Sequence, residues 1–206
     1  MENRKDHWNK VYETKKPTEV SWYEPMPEVS LSYITDCKLE KDAAIIDIGG
    51  GDSFLAEFLI SQGFTDVTVV DISEKALERA KERLGEKADE VNWIVADVSK
   101  FQPERQYELW HDRAVFHFLT EEQQVKSYLA TVDKAVKPGG FVVMGTFSEK
   151  GPTKCSGLEI KQYSISEMQD LFSKGYCTLS CKNIDHQTPS GGTQNFTFCS
   201  FRKDPK

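Results

Sequence analysis

Two aspartates enclose a glycine turn in the run Asp47-Ile48-Gly49-Gly50-Gly51-Asp52. Glycines there let backbone approach a bound molecule where a Cβ would push it away. Three further acids, Asp71, Asp97 and Asp112, stand at or near the ends of strand-like runs. If those runs are parallel strands, all of these acids face one crevice, because open α/β sheets bind ligands outside the carboxyl ends of their strands. Asp71 follows Gly51 at about the 20-residue spacing at which an acid bonds ribose hydroxyls, which favours an adenosine-containing ligand. The turn has no Lys or Arg to hold a phosphate, and Asp52 would repel one. A P-loop pattern is absent, and the dinucleotide fingerprint G-x-G-x-x-G/A meets Phe54 at its third position. A ligand with a positive centre and no phosphate suits such a crevice.

The elements that must position these residues follow from periodicity. Apolar runs at 43–49, 66–72, 91–97, 108–113 and 141–146 read as strands, the first as a fully buried one. Between them, helices are expected at 53–62, where Phe54, Leu55, Phe58 and Leu59 form a stripe, at 74–84 behind a Ser73 cap, and at 121–136. This alternation implies a mostly parallel α/β sheet with helices on both faces. After residue 164 the order changes: Ser164 and Glu167 form a capping box, and runs 177–185 and 194–202 flank a Pro-Ser-Gly-Gly turn, so the chain closes on an antiparallel hairpin. Upstream, residues 6–14 make a short amphipathic helix and residues from Ser30 to Cys37 another. The aromatic segment Val20–Pro27 between them either covers the core or forms a lid over a ligand.

At this point the chain resembles the class I S-adenosylmethionine-dependent methyltransferases. Asp47-x-Gly49-x-Gly51, Asp71, Asp97 and the closing hairpin carry the resemblance, which runs from about residue 40 to the C-terminus. It implies a three-layer α/β sandwich around a seven-stranded Rossmann-like sheet, in one domain whose residues 1–40 form a helical lid segment and 41–206 the core. S-adenosyl-L-methionine is the implied cofactor. Asp47, Gly49, Gly50 and Gly51 would hold its methionine end and Asp71 its ribose. Ile72, Asp97 and Val98 would flank the adenine, and His111 and Asp112 would border the methyl group. Trp8 and Trp22 ahead of the sheet are loosely similar to tryptophans that close the cofactor pocket in thiopurine-type methyltransferases. Trp22 is accordingly taken as a cofactor contact, and Trp8, Tyr23, Arg113 and Phe116 as substrate contacts.

Methyl transfer from a sulfonium needs a general base only when the nucleophile arrives protonated. His117, Asp112 and His111 are the base candidates, His117 because imidazole accepts a proton near neutral pH. Asp112 and Arg113 either line the site or pair with each other. No metal is expected, since no Asp-Asp-Asn cluster stands out. The acceptor is expected to be a small molecule, with protein lysine as the alternative; an NAD-binding oxidoreductase and a non-catalytic cofactor binder are the competing classes.

Composition narrows the setting. The 206 residues carry 26 Lys+Arg against 33 Asp+Glu, a net charge of −7. An acidic chain gains nothing from counterion release on nucleic acid, and no [DN]-P-P-[YF] motif follows the fourth strand. No apolar run reaches membrane-spanning length and the first residues lack an apolar signal core, so a soluble, cytoplasmic protein is expected. The 5 cysteines lack a C-x-x-C pair and read as small reduced thiols, with Cys177 and Cys181 on one strand face and Cys155-Ser156-Gly157 as a substrate-side loop.

Overall fold

The computed structural model describes residues 4–205. Helix α1 (Arg4–Thr14) and α2 (Glu28–Asp36), with a 3₁₀ turn at Pro17–Glu19 between them, precede the sheet. The core then runs β1 (Ala44–Ile48), α3 (Leu55–Ser61), β2 (Asp66–Asp71), α4 (Glu74–Leu84), β3 (Val91–Val95), β4 (Tyr107–Arg113), α5 (Glu122–Ala135) and β5 (Val136–Phe147). A two-stranded hairpin, β6 (Lys154–Cys155) and β7 (Leu158–Glu159), leads to α6 (Ile165–Leu171), β8 (Tyr176–Gln187) and β9 (Thr193–Lys203).

Seven strands form one sheet in the order β3-β2-β1-β4-β5-β9-β8, parallel through β5 and antiparallel at β9 and β8. Every residue of β1 is buried, as the uninterrupted Ala-Ile-Ile run requires of a strand covered on both faces. Ile45 packs with Tyr33, Leu55, Leu59 and Leu77 on one face, while Ile46 and Ile48 pack with Trp110, Tyr128, Val132 and Met168 on the other. These are the two cores of a three-layer sandwich. The strand order reverses between β1 and β4, which puts the crevice at the ends of those two strands.

The expected caps form. Ser73 Oγ accepts from the Ala76 amide to start α4, and Ser164 and Glu167 close their reciprocal box on α6. The cysteine reading needs correction. Cys181 and Cys199 face each other across β8 and β9 and are joined as a disulfide. Cys177 does not share their face, because a bulge between Thr178 and Ser180 shifts the register and leaves it exposed. Cys37 and Cys155 are buried thiols. No helix among the described residues is long and apolar enough to cross a membrane.

Candidate active site

At the end of β1 the chain turns through Gly49 (φ 65°) and Gly51 (φ 49°), a left-handed backbone that side chains resist. Space forbids side chains as well. A Cβ on Gly49 would lie 1.9 Å from Val115, one on Gly50 2.5 Å from the Asp47 carboxylate, and one on Gly51 2.8 Å from the Tyr12 hydroxyl. The turn is thus a bare-backbone wall of a cavity that runs along the carboxyl ends of β1, β2 and β4.

Asp71, the last residue of β2, lines that cavity and is buried. Its Oδ1 accepts from the Ser73 amide (2.7 Å), and burial, unrelieved by any cation, pushes its carboxyl up to about 7. Asp52 is pushed up by burial too, but Arg79, 3.5 Å away, opposes the rise. Ile72, Asp97 and Val98 line the same end of the cavity; Asp97 also accepts from the Ser99 amide and hydroxyl.

At the strand-order reversal, Asp47 and His111 are direct neighbours in register. His111 Nδ1 donates to Asp47 Oδ1 (2.6 Å), and its Nε2 meets Ser30 Oγ (2.9 Å), which α2 brings over the sheet. All three residues are at most 3% exposed and all line the cavity. The structure separates His111 from its strand neighbour. Successive strand side chains point to opposite faces, so Asp112 turns into the core, where it accepts from Tyr128 Oη and from the amides of Val115 and Phe116. Burial raises its carboxyl to about 6. Asp112 therefore neither faces the cavity nor pairs with Arg113; it anchors the turn that follows β4.

Two more expectations are corrected on position. Phe116 is fully buried against Tyr128 and Tyr163, behind the cavity wall. His117 is fully buried, stacked on Phe147 at 4.5 Å, with neither ring nitrogen bonded among the described residues; burial draws its pKa down to about 3. An imidazole so held is neutral and does not line the cavity.

The segment between α1 and α2 closes the cavity from above. Trp8, Tyr12, Trp22 and Tyr23 all line it, with Trp8 edge-on to both Trp22 (5.6 Å) and Phe118 (5.3 Å). Arg113 holds this segment down: Nη1 donates to the Trp22 carbonyl (3.1 Å) and Nη2 to Glu24 (2.9 Å). His186, from β8, donates to the Ser21 carbonyl (2.7 Å) and sets its other nitrogen 3.2 Å from the same Glu24 oxygen. The remaining wall comes from Phe147, Cys155, Leu158, Gln194 and Phe196. Cys155 and Leu158 pair across a hairpin tip in which Ser156 (φ 50°) and Gly157 (φ 80°) are both left-handed, so the expected loop is a tight β-turn.

Ser30, Tyr12 and Gln194 were not singled out in the sequence. Ser30 and Tyr12 lie on helices that read only as amphipathic, and Gln194 lies at the start of a strand; nothing local marks Ser30, whose partner His111 is 81 positions away. His111 over Asp112 was decidable in principle, since only one of two adjacent strand residues can face Asp47.

A family model described as a methyltransferase domain matches residues 45–140. Malonyl-[acyl-carrier protein] O-methyltransferase 2 of Ilyobacter polytropus is 29% identical over 106 residues, covering 51% of this chain and 39% of that protein. The eEF1A lysine and N-terminal methyltransferase of Mus musculus is 27% identical over 183 residues, 82% of this chain and 26% of that protein. The chain thus spans well under half the length of these curated relatives. Among solved structures, a SAM-dependent methyltransferase from Anabaena variabilis superposes with a TM-score of 0.74 at 15% identity, covering 98% of this chain and 95% of that one. Residues 45–140 thus match a methyltransferase domain, and the whole chain shares the fold of a solved S-adenosylmethionine-dependent methyltransferase.

Proposed function

We propose that this chain transfers a methyl group from S-adenosylmethionine to a small-molecule nucleophile. The observation that carries the reading is the buried Asp71 carboxylate facing a cavity lined at the end of β1 by the bare backbone of Gly49 and Gly50. That pair fits the cofactor: a carboxylate without a cation accepts ribose hydroxyls, and the turn admits the methionine end close to backbone. When bound, the cofactor supplies an electrophilic methyl on a sulfonium whose departure leaves a neutral thioether. Asp47 and Gly49–Gly51 hold the methionine end, Asp71 the ribose, and Ile72, Asp97 and Val98 the adenine. His111 orients Asp47, and Trp8 and Trp22 exclude water from above. Holding donor and nucleophile in line can supply about 7–11 kcal/mol of barrier lowering.

A second reading, methylation of a protein lysine, is favoured by the likeness to the mouse eEF1A methyltransferase over 82% of this chain. The charges on the acceptor side oppose it. Arg4 and Arg113 line the cavity there, and the Glu24 carboxylate beside Arg113 is already bonded to Arg113 and His186. A lysine ammonium entering there would meet the Arg4 guanidinium and a Glu24 carboxylate already engaged.

Thermal-shift titration tests the donor site: S-adenosylhomocysteine raises the melting temperature, NAD does not, and Asp71→Ala abolishes the shift. Stabilisation by NAD alone, or an undiminished shift in Asp71→Ala, would refute the assignment. Incubation of a lysate with tritium-labelled donor then separates the acceptors, with label expected in the small-molecule fraction and not in protein.

A further inference from the structure

The part of the cavity wall that β9 and Arg113 supply carries polar groups that the donor site leaves unused. Gln194 and Phe196 stand on the same face of β9, and both line the cavity. Gln194 Oε1 is sealed from solvent with no hydrogen-bond donor among the described residues. A carbonyl oxygen buried and unmet is destabilising, a penalty that a ligand's N–H would remove. On the ring of Phe196, 5.2 Å from its centroid, lies the Arg113 guanidinium. It has five N–H donors and spends two on Trp22 and Glu24, and burial lowers its pKa. One unmet acceptor and several spare donors therefore border the same phenyl ring. The surfaces between them are aromatic: Phe118, Phe147 and Phe196. Because Glu24 already balances the charge of Arg113, the ligand need not be an anion.

We propose that the methyl acceptor is a small planar molecule with an amide-type edge, a lactam or cyclic imide. Its N–H donates to Gln194 Oε1, its carbonyl accepts from Arg113, and its ring lies among the phenyl faces. Gln194 is then a specificity-determining residue, because an analogue without the N–H leaves the carboxamide oxygen unpaired. The proposal rests on the methyl-donor reading of the cavity and adds the class of acceptor to it.

The test uses 1-isoquinolone and its lactone isostere isocoumarin, which replaces the N–H by oxygen, titrated calorimetrically into the chain saturated with S-adenosylhomocysteine. The lactam is expected to bind about tenfold or more tightly than the lactone, the worth of one buried hydrogen bond. Gln194→Leu collapses that ratio towards one while S-adenosylhomocysteine affinity stays within twofold, and Gln194→Glu, which keeps an acceptor oxygen, restores it. Failure of S-adenosylhomocysteine to bind would overturn the donor reading itself. Normal S-adenosylhomocysteine binding with equal affinity for lactam and lactone, or a ratio that survives Gln194→Leu, would overturn the amide-edge proposal alone.

Discussion

Asp71 is a carboxylate buried without a cation, and that fixes how cofactor affinity depends on pH. Its folded pKa of about 7 lies well above the ordinary aspartate value of 3.8, so below pH 7 the ligand-free chain keeps it protonated. Ribose hydroxyls bond the ionised form, so binding there must release a proton. S-adenosylhomocysteine affinity is expected to rise by up to about tenfold per unit as pH climbs towards 7, then level off. Asp71→Asn binds weakly and shows a flat profile. A wild-type profile that is flat between pH 5 and 8 by calorimetry would sink the assignment. At this scale the sequence was most informative about groups at the end of a strand followed by glycine, because backbone demands there admit few alternatives. It was least informative where two titratable residues adjoin: His111 and Asp112 differ only in which face of β4 they take, and the partners that decide it, Asp47 and Tyr128, come from distant segments.

The central strands β1 and β2 were legible as apolar runs, and α4 and α6 from the Ser73 and Ser164 caps that open them. What could not be read was how the segment from Pro17 to Pro27 lies. Its aromatic residues were equally compatible with covering the core and with roofing a ligand, and the choice depends on long-range contacts. Four polar contacts from Arg113 and His186, two of them to Glu24, fasten it over the cavity. Ala114, left-handed at φ 71°, bends the chain directly after Arg113. Cofactor exchange is expected to require this strap to lift, with Glu24 controlling its rate. Losing a hydrogen bond to a charged group costs about 1.5–3 kcal/mol, an order of magnitude or more in the closed-to-open ratio. Glu24→Ala is expected to speed S-adenosylhomocysteine release by about that factor in stopped-flow tryptophan fluorescence, with Trp8 and Trp22 as reporters. Glu122→Ala, which breaks only an exposed pair with Lys126, serves as control and leaves the rate unchanged. Equal rates in wild type and Glu24→Ala would show that the strap is not the gate.

For the whole molecule, three buried titratable groups pull stability in opposite directions along the pH axis. Asp71 (about 7) and Asp112 (about 6) have folded values above their unfolded ones. The stability they contribute is present at pH 4 and is lost as pH rises through 6 and 7. His117 runs the other way: its folded value of about 3 lies below the unfolded 6.5. Its contribution is complete above 6.5 and is lost as pH falls towards 3, because the unfolded chain takes up a proton that the buried ring refuses. The two losses overlap, and between about pH 4 and 6 the two carboxyls outweigh the single imidazole, so by these three groups the ligand-free chain is most stable near pH 4. His117→Phe tests this balance, since a phenyl ring keeps the stack on Phe147 and removes two unbonded nitrogens. Urea unfolding at pH 4, 5.5 and 7 should show the variant more stable throughout, by about 1–3 kcal/mol at pH 7 where only the unmet nitrogens count. The gain grows at pH 4, where the wild type alone pays for the unfolded state's extra proton. Methyl transfer by the variant is expected at wild-type rates, as befits a residue behind the cavity wall. A variant less stable than wild type at pH 7, with the same acid-side slope, would mean that His117 is bonded and that its burial is not what makes the fold acid-labile.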